Sequence, residues 1–251
     1  MVAARWLATA LFLLSIPVFL LLSNVRVAAM EERVYDYAFS HYDAPAVTGL
    51  ERAELDRAAR EIIDYFESPE RNALLDISVE TASQPEPLFN EREVVHMRDV
   101  KHLFHLFFRI HELAFVYLVA YVAGVFLWSR ERSMRTLARH GVIAGIATVG
   151  VLGLAAVSML VGFDQLFVQF HLLSFSNDFW QLNPATDRLV QMFPHGFWFD
   201  VSLGVGVLTV LQGALLAAGG YAYMEWSDRA SERRRRSRFR TRTAVEPPAT
   251  P

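Results

Sequence analysis

Apolar residues gather along the chain into four long runs, separated by stretches of different character. Residues 7–22 are apolar apart from Thr9, Ser15 and Pro17, and three further runs fall within residues 102–128, 141–161 and 198–224. A helix needs about 20 such residues to cross the hydrocarbon core of a bilayer. A chain crossing that core must satisfy its backbone polar groups internally, so the runs predict four transmembrane helices. The first run follows Arg5, as the core of a cleaved signal peptide would. Its length, and the weakness of Val27-Ala28-Ala29 as a cleavage site, favour an uncleaved span over residues 1–23.

Between the first two runs the pattern is amphipathic. Over residues 50–66, Leu55, Ala59, Ile62, Ile63 and Phe66 recur at three- and four-residue spacing, which predicts a helix with one buried face. Thr48 or Gly49 would begin it and Ser68-Pro69 would end it. A shorter helix is expected over residues 31–40, and Pro85 and Pro87 make residues 81–90 a loop or short extended segment. Residues 24–101 are therefore a small folded module, too long and too acidic to lie in lipid. The third run contains Gly145, Gly150 and Gly153, which would allow close helix approach. Residues 162–197 form a loop dense in aromatics, among them Phe167, Phe170, Phe175, Phe179, Trp180 and Phe193, as suits an interfacial or re-entrant position. Asp178 or Asn183 could cap short helices there.

Charge orients this pattern. Arg5 precedes the first run, Arg130, Arg132, Arg135 and Arg139 crowd residues 129–140, and Arg233 to Arg236 open a basic stretch in residues 225–251. Loops rich in arginine remain in the cytoplasm, which puts both termini there and residues 24–101 and 162–197 together outside. The tail is expected to be disordered, touching anionic lipid rather than nucleic acid. The predicted fold class is thus an all-α membrane protein. It has four transmembrane helices, a small mainly helical extracytoplasmic module between helices 1 and 2, and an aromatic interfacial loop between helices 3 and 4. The chain has no cysteine, which excludes disulfides, thiolate metal sites and a cysteine nucleophile.

Two histidine-led stretches flank these runs: residues 90–100, containing His96, and residues 171–180, beginning with His171. The topology puts both at the same membrane surface. Imidazole accepts and donates protons near neutrality, which suits acyl transfer between two nucleophiles. Glu93 and Asp99 are candidates to orient an imidazole, Asp178 lies in the same stretch as His171, and Asn177, Arg98 and Trp180 could stabilise a developing oxyanion. A second cluster, His102, His105, Arg109 and Glu112, recurs at helical spacing in the second run. It would face either the bundle interior, neutralised by partners, or the headgroup interface.

The segments Asn90-Glu91-Arg92-Glu93-x-x-His96-Met97-x-Asp99-Val100 and His171-x-x-x-Phe175-x-Asn177-Asp178-x-Trp180-x-Leu182-Asn183-Pro184-x-x-Asp187-Arg188-Leu189-x-x-Met192-Phe193-Pro194 resemble the hallmark segments of the bacterial lipoprotein intramolecular transacylase family. The resemblance covers nearly the whole chain. It implies an enzyme of the outer face of the bacterial cytoplasmic membrane. Such an enzyme moves the sn-2 acyl chain of a diacylglyceryl-modified lipoprotein to the α-amine of its N-terminal cysteine, leaving a lyso-form lipoprotein. The family's two essential histidines would fall on His96 and His171, with either as base and the other as acid. Its partners would be lipoproteins and membrane lipids, and it would need no cofactor, metal or nucleic acid. On this reading, Phe104, Phe107, Phe108, Phe170, Phe175 and Phe179 line a groove for the acyl chains.

The same residues also suit other classes of protein. A metal or haem protein would use His102, His105, His111 and His171 inside a bundle. A sensor or assembly factor would use the acidic module to bind a partner. Acyl transfer or hydrolysis on another lipid would use the same two histidines.

Overall fold

The structure is a computed structural model that describes residues 2–80, 85–128 and 133–245. Among the described residues, four helices are long and apolar enough to cross a membrane: α1 (Val2–Met30), α5 (Glu91–Trp128), α6 (Ser133–Ser174) and α8 (His195–Val245). Their outer faces carry exposed leucine, valine and isoleucine, as expected of surfaces that meet lipid rather than water. The protein is therefore a multi-pass membrane protein.

Polar side chains pin the bundle from within. Tyr121 on α5 meets Thr9 on α1 with 3.0 Å between the two hydroxyl oxygens, and Ser23 Oγ lies 2.9 Å from His111 Nε2, so the two helices run antiparallel. Asn24 Nδ2 donates to Thr209 Oγ1 and to Gln212 Oε1, both at 2.9 Å, joining α1 to α8. The tightest pair is α6 with α8. A Cβ on Gly213 would lie 2.9 Å from Thr148 Cγ2, and one on Gly220 would lie 2.7 Å from Ala138 O. Gly145 sits against Gly213 and Ala217 in the same seam, whereas Gly150 and Gly153 face open space. Of the three glycines expected at a close interface, only Gly145 is there.

The helices also outrun the apolar runs. α5 starts at Glu91, eleven residues before the run, because Asn90 and Glu93 cap it reciprocally. The polypeptide stays helical past residue 161, breaks at Gly162 (φ −154°, ψ 50°), and continues to Ser174. Part of the expected loop is thus helix. α8 likewise runs through the basic stretch to Val245 where a disordered tail was expected, while Arg130 and Arg132 lie outside the described residues.

The module comprises α2 (Glu32–His41), α3 (Ala44–Thr48) and α4 (Arg52–Glu67), with a short antiparallel pair, β1 (Ser78–Glu80) and β2 (Pro85–Pro87). The α4 helix buries Leu55, Ala58, Ala59, Ile62, Ile63 and Phe66, the face its periodicity predicts. At the C-terminus of α3, Gly49 adopts φ 70°, a left-handed turn that glycine makes without a Cβ penalty. Tyr37 and Tyr42 both donate to Asp200 Oδ2, at 2.7 and 2.6 Å, tying the module to α8. Burial, reinforced by this carboxylate, pushes the Tyr42 phenol above its ordinary range, so it remains a donor.

One departure from the expected loop matters for the site. Leu189, Met192, Phe193 and Phe197 are buried in the module core with Phe39, Leu55 and Met97. The segment containing α7 (Arg188–Met192) is packed into the module, where its apolar side chains are buried against those of α2 and α4.

Candidate active site

The capped start of α5 and the end of α6 converge beneath the α7 loop. His96, in the second turn of α5, is 8% exposed, and His171, in the last turn of α6, is 7% exposed. Their ring centroids lie 6.1 Å apart. Phe175 packs edge-on to His96 at 5.2 Å and also contacts His171 at 5.6 Å, while Trp180 lies over His171 at 4.8 Å. The two imidazoles therefore share one aromatic-walled, largely dry site.

Hydrogen bonding distinguishes them. His171 Nδ1 lies 2.7 Å from Phe167 O. A carbonyl only accepts, so Nδ1 carries the hydrogen and Nε2 of the neutral ring holds the free lone pair. His96 Nδ1 is buried without a partner among the described residues. An unpaired buried nitrogen is costly in a finished core but useful where a substrate group is to bind.

Four cross-links brace the two stretches against each other. Asn177 Nδ2 donates to Asp99 Oδ2 at 2.7 Å, and Asn90 Nδ2 donates to Asp187 Oδ1 at 3.1 Å. Leu189 N donates to Glu93 Oε1 at 2.6 Å, and Arg92 donates to the carbonyl of Asp178. Asp187 Oδ2 also accepts from Asn183 N at 2.7 Å, closing the Asn183-Pro184 turn.

Several expected roles change on this geometry. Glu93 is almost completely buried, and its second oxygen accepts from Asn90 N at 2.8 Å; both its oxygens hold backbone amides rather than an imidazole. Asn177 gives one of its two amide hydrogens to Asp99 and keeps the other. Arg98 lies beside Asp99, Nε to Oδ1 at 4.0 Å, and Asp178 is an exposed partner of Arg92. Asn90, Arg92 and Asp187 stand in the segments that carry the resemblance, but the sequence gives them no individual role. The Asn-x-x-Glu spacing was the available signal for the first of them.

The six phenylalanines do not form one wall. Phe170 and Phe175 surround the histidines, and Phe179 lies under the Arg92 guanidinium at 5.7 Å. Phe104 and Phe108 stack on each other, with Phe104 against Phe66 and Phe108 under Arg26. At 100° per residue they are turned about 80° and 120° from His96, whereas Phe107 returns to its face about 16 Å further along α5. The histidines of the second run also find separate partners. His102 Nε2 bonds Arg71 O at 2.7 Å, His105 Nε2 bonds Phe66 O at 3.1 Å, and His111 meets Ser23.

Fold and site define a multi-pass membrane protein with paired imidazoles held beneath a braced, aromatic loop. A family model described as the lipoprotein intramolecular transacylase Lit matches residues 10–198, and the chain belongs to this family of acyltransferases. The in meso structure of Lit from Bacillus cereus superposes with a TM-score of 0.72 at 20% identity, covering 92% of this chain and 100% of that one. A variant of the same protein with one histidine changed to alanine gives 0.68 at 20% identity, covering 91% and 96%. At such identity the likeness shows the fold. An uncharacterized protein of Aquifex aeolicus is 30% identical over 132 residues, 53% of this chain and 56% of that relative. The chain thus matches little more than half the length of that curated relative.

Proposed function

We propose that this protein moves the sn-2 acyl chain of a diacylglyceryl-modified lipoprotein onto the α-amine of its N-terminal cysteine. The reaction takes place at the outer face of the bacterial cytoplasmic membrane. The observation that carries this reading is the burial of His96 and His171 side by side, 6.1 Å apart, in a chain of this family.

In the proposed step, His171 Nε2 takes a proton as the amine nitrogen attacks the ester carbonyl carbon. A C–N bond forms, the C–O bond to glycerol breaks, and the proton that His171 took is delivered to the departing oxygen, while the unpartnered Nδ1 of His96 is left to hydrogen-bond the reacting group. The nitrogen loses one proton and the oxygen gains one, so both rings end in the neutral form in which they began. No water is consumed and no acyl-enzyme forms. The Phe167 carbonyl holds the His171 tautomer, and the dry aromatic walls exclude the water that would hydrolyse the ester. Phe170, Phe175 and Phe107 supply the apolar wall for the acyl chains.

The test is mass spectrometry of a lipoprotein N-terminal peptide from cells that lack the usual N-acylation step. With the intact protein, one acyl group moves from glycerol to the amine. His96→Ala and His171→Ala should each lower the yield by about 100-fold or more, the range for a lost general acid or base. An unchanged diacylglyceryl peptide with the intact protein would overturn the reading and favour another lipid substrate.

A further inference from the structure

A second cleft lies away from the histidines, where the ends of α1 and α4 meet one flank of α5. It is lined by Arg26, Phe66, Glu67, Phe108, Arg109 and Glu112 and encloses about 390 Å³, a volume suited to a small-molecule headgroup. Arg109 is thirteen residues beyond His96, about 20 Å along the helix and turned to its far side. The hydrogen bond between His105 Nε2 and Phe66 O fixes the end of α4 against α5 and so shapes the cleft.

Its charges are only half balanced from within. Arg26 Nη1 lies 3.7 Å from Glu112 Oε1, and the Arg26 guanidinium sits 4.7 Å from the Phe108 ring centroid. Among the described residues, Arg109 has no carboxylate within 4.0 Å, and Glu67 has no cation within that distance. Charged groups beside lipid are costly unless something neutralises them. Leu106 and Leu113, one turn to either side of Arg109, are 52% and 69% exposed, so the cleft opens onto an apolar flank. The vacant interactions are thus one for an anion, one for a cation, and a wall for hydrocarbon.

We propose that the cleft binds a zwitterionic phospholipid with a primary ammonium, a glycerophosphoethanolamine. Arg109 with Arg26 takes the phosphate, Glu67 takes the ammonium, and the acyl chains lie along Leu106 and Leu113. A thioether-linked diacylglyceryl group has no phosphate to satisfy Arg109, so this is not the site for the acyl donor. The proposal stands independently of the reaction assigned to the histidines.

Native mass spectrometry of the purified full chain tests it, with dimyristoyl phosphatidylethanolamine, phosphatidylcholine or phosphatidylglycerol added in turn. The expected result is a one-to-one adduct with the ethanolamine lipid, favoured about fivefold or more over the other two, as one charge-assisted contact allows. Arg109→Gln and Glu67→Gln should each remove that preference, and Arg109→Lys should keep most of it. Free phosphoethanolamine should give no adduct, since the apolar flank contributes to holding the lipid. Equal binding of all three lipids, unchanged preference in both glutamine variants, or equal binding of free phosphoethanolamine would each overturn the proposal. Neither substituted residue has an ion-pair partner to lose, and a wild-type circular dichroism melt confirms that a variant is folded.

Discussion

Glu93 sits three residues before a candidate catalytic histidine yet serves the backbone. Its two oxygens hold the amides of Asn90 and Leu189, one on each side of the junction between the two histidine stretches. Glu93→Ala would leave the buried Leu189 amide without a partner, at a cost of about 1–3 kcal/mol, and would remove the cap from the more exposed Asn90 amide. The expected outcome is a lower midpoint of thermal unfolding in detergent together with weakened acyl transfer. Glu93→Gln, which keeps an acceptor oxygen for one amide, should fall between Ala and wild type; equal melting of all three would show that the bonds do not brace the site. The proximity of His96, His171 and Trp180 is legible in the sequence, because the order of the apolar runs puts their two stretches at one membrane surface. For Glu93, proximity along the chain suggests an orienting carboxylate, whereas its hydrogen bonds go to two backbone amides. The Asn90-x-x-Glu93 spacing already marked a helix cap. The bonds from Asp187 to Asn90 and from Leu189 to Glu93 connect positions nearly a hundred residues apart, and no local pattern announces such contacts.

Among the elements, α6 and α8 show what hydropathy reads and what it misses. Two apolar runs were evident, but composition does not say which side of a helix faces its neighbour. Gly145 belongs to the seam, whereas Gly150 and Gly153 do not. Gly213 and Gly220 complete the seam from the α8 side. Gly213→Leu should force α6 and α8 apart, costing about 1–3 kcal/mol for overpacking alone. Gly153→Leu, with nothing within 4 Å of its added Cβ, is the control and should melt like the wild type. Equal behaviour of the two variants would show that the seam is not closely packed. The break at Gly162 has the same lesson: the run ends near it, but the helix resumes and delivers His171 from its final turn. An extended loop would not hold the ring against the Phe167 carbonyl one turn earlier, so the resumed helix is what fixes the tautomer.

For the molecule as a whole, the remaining question is which way the bundle faces. Arg135 and Arg139, in the first turns of α6, and the basic end of α8 beyond Ser231 lie at one end of the bundle, and the module, α7 and both histidines lie at the other. Contacts at each end agree with this separation: Arg135 pairs with Asp228 near one end, and Tyr42 reaches Asp200 near the other. Arginine retention on the cytoplasmic side then predicts an outward-facing active site. Because the chain lacks cysteine, single introduced thiols report this without background. Asp76 and Ser231 are both exposed, one on the module and one on the basic end of α8. In intact spheroplasts, a membrane-impermeant maleimide should label Asp76→Cys at once and Ser231→Cys only after permeabilisation. The reverse pattern would place the histidines in the cytoplasm, on the opposite side from the lipoprotein N-termini they are proposed to acylate. The paired-imidazole chemistry would then need a substrate from the inner leaflet, and the lipoprotein reading would fall even with the fold and family unchanged.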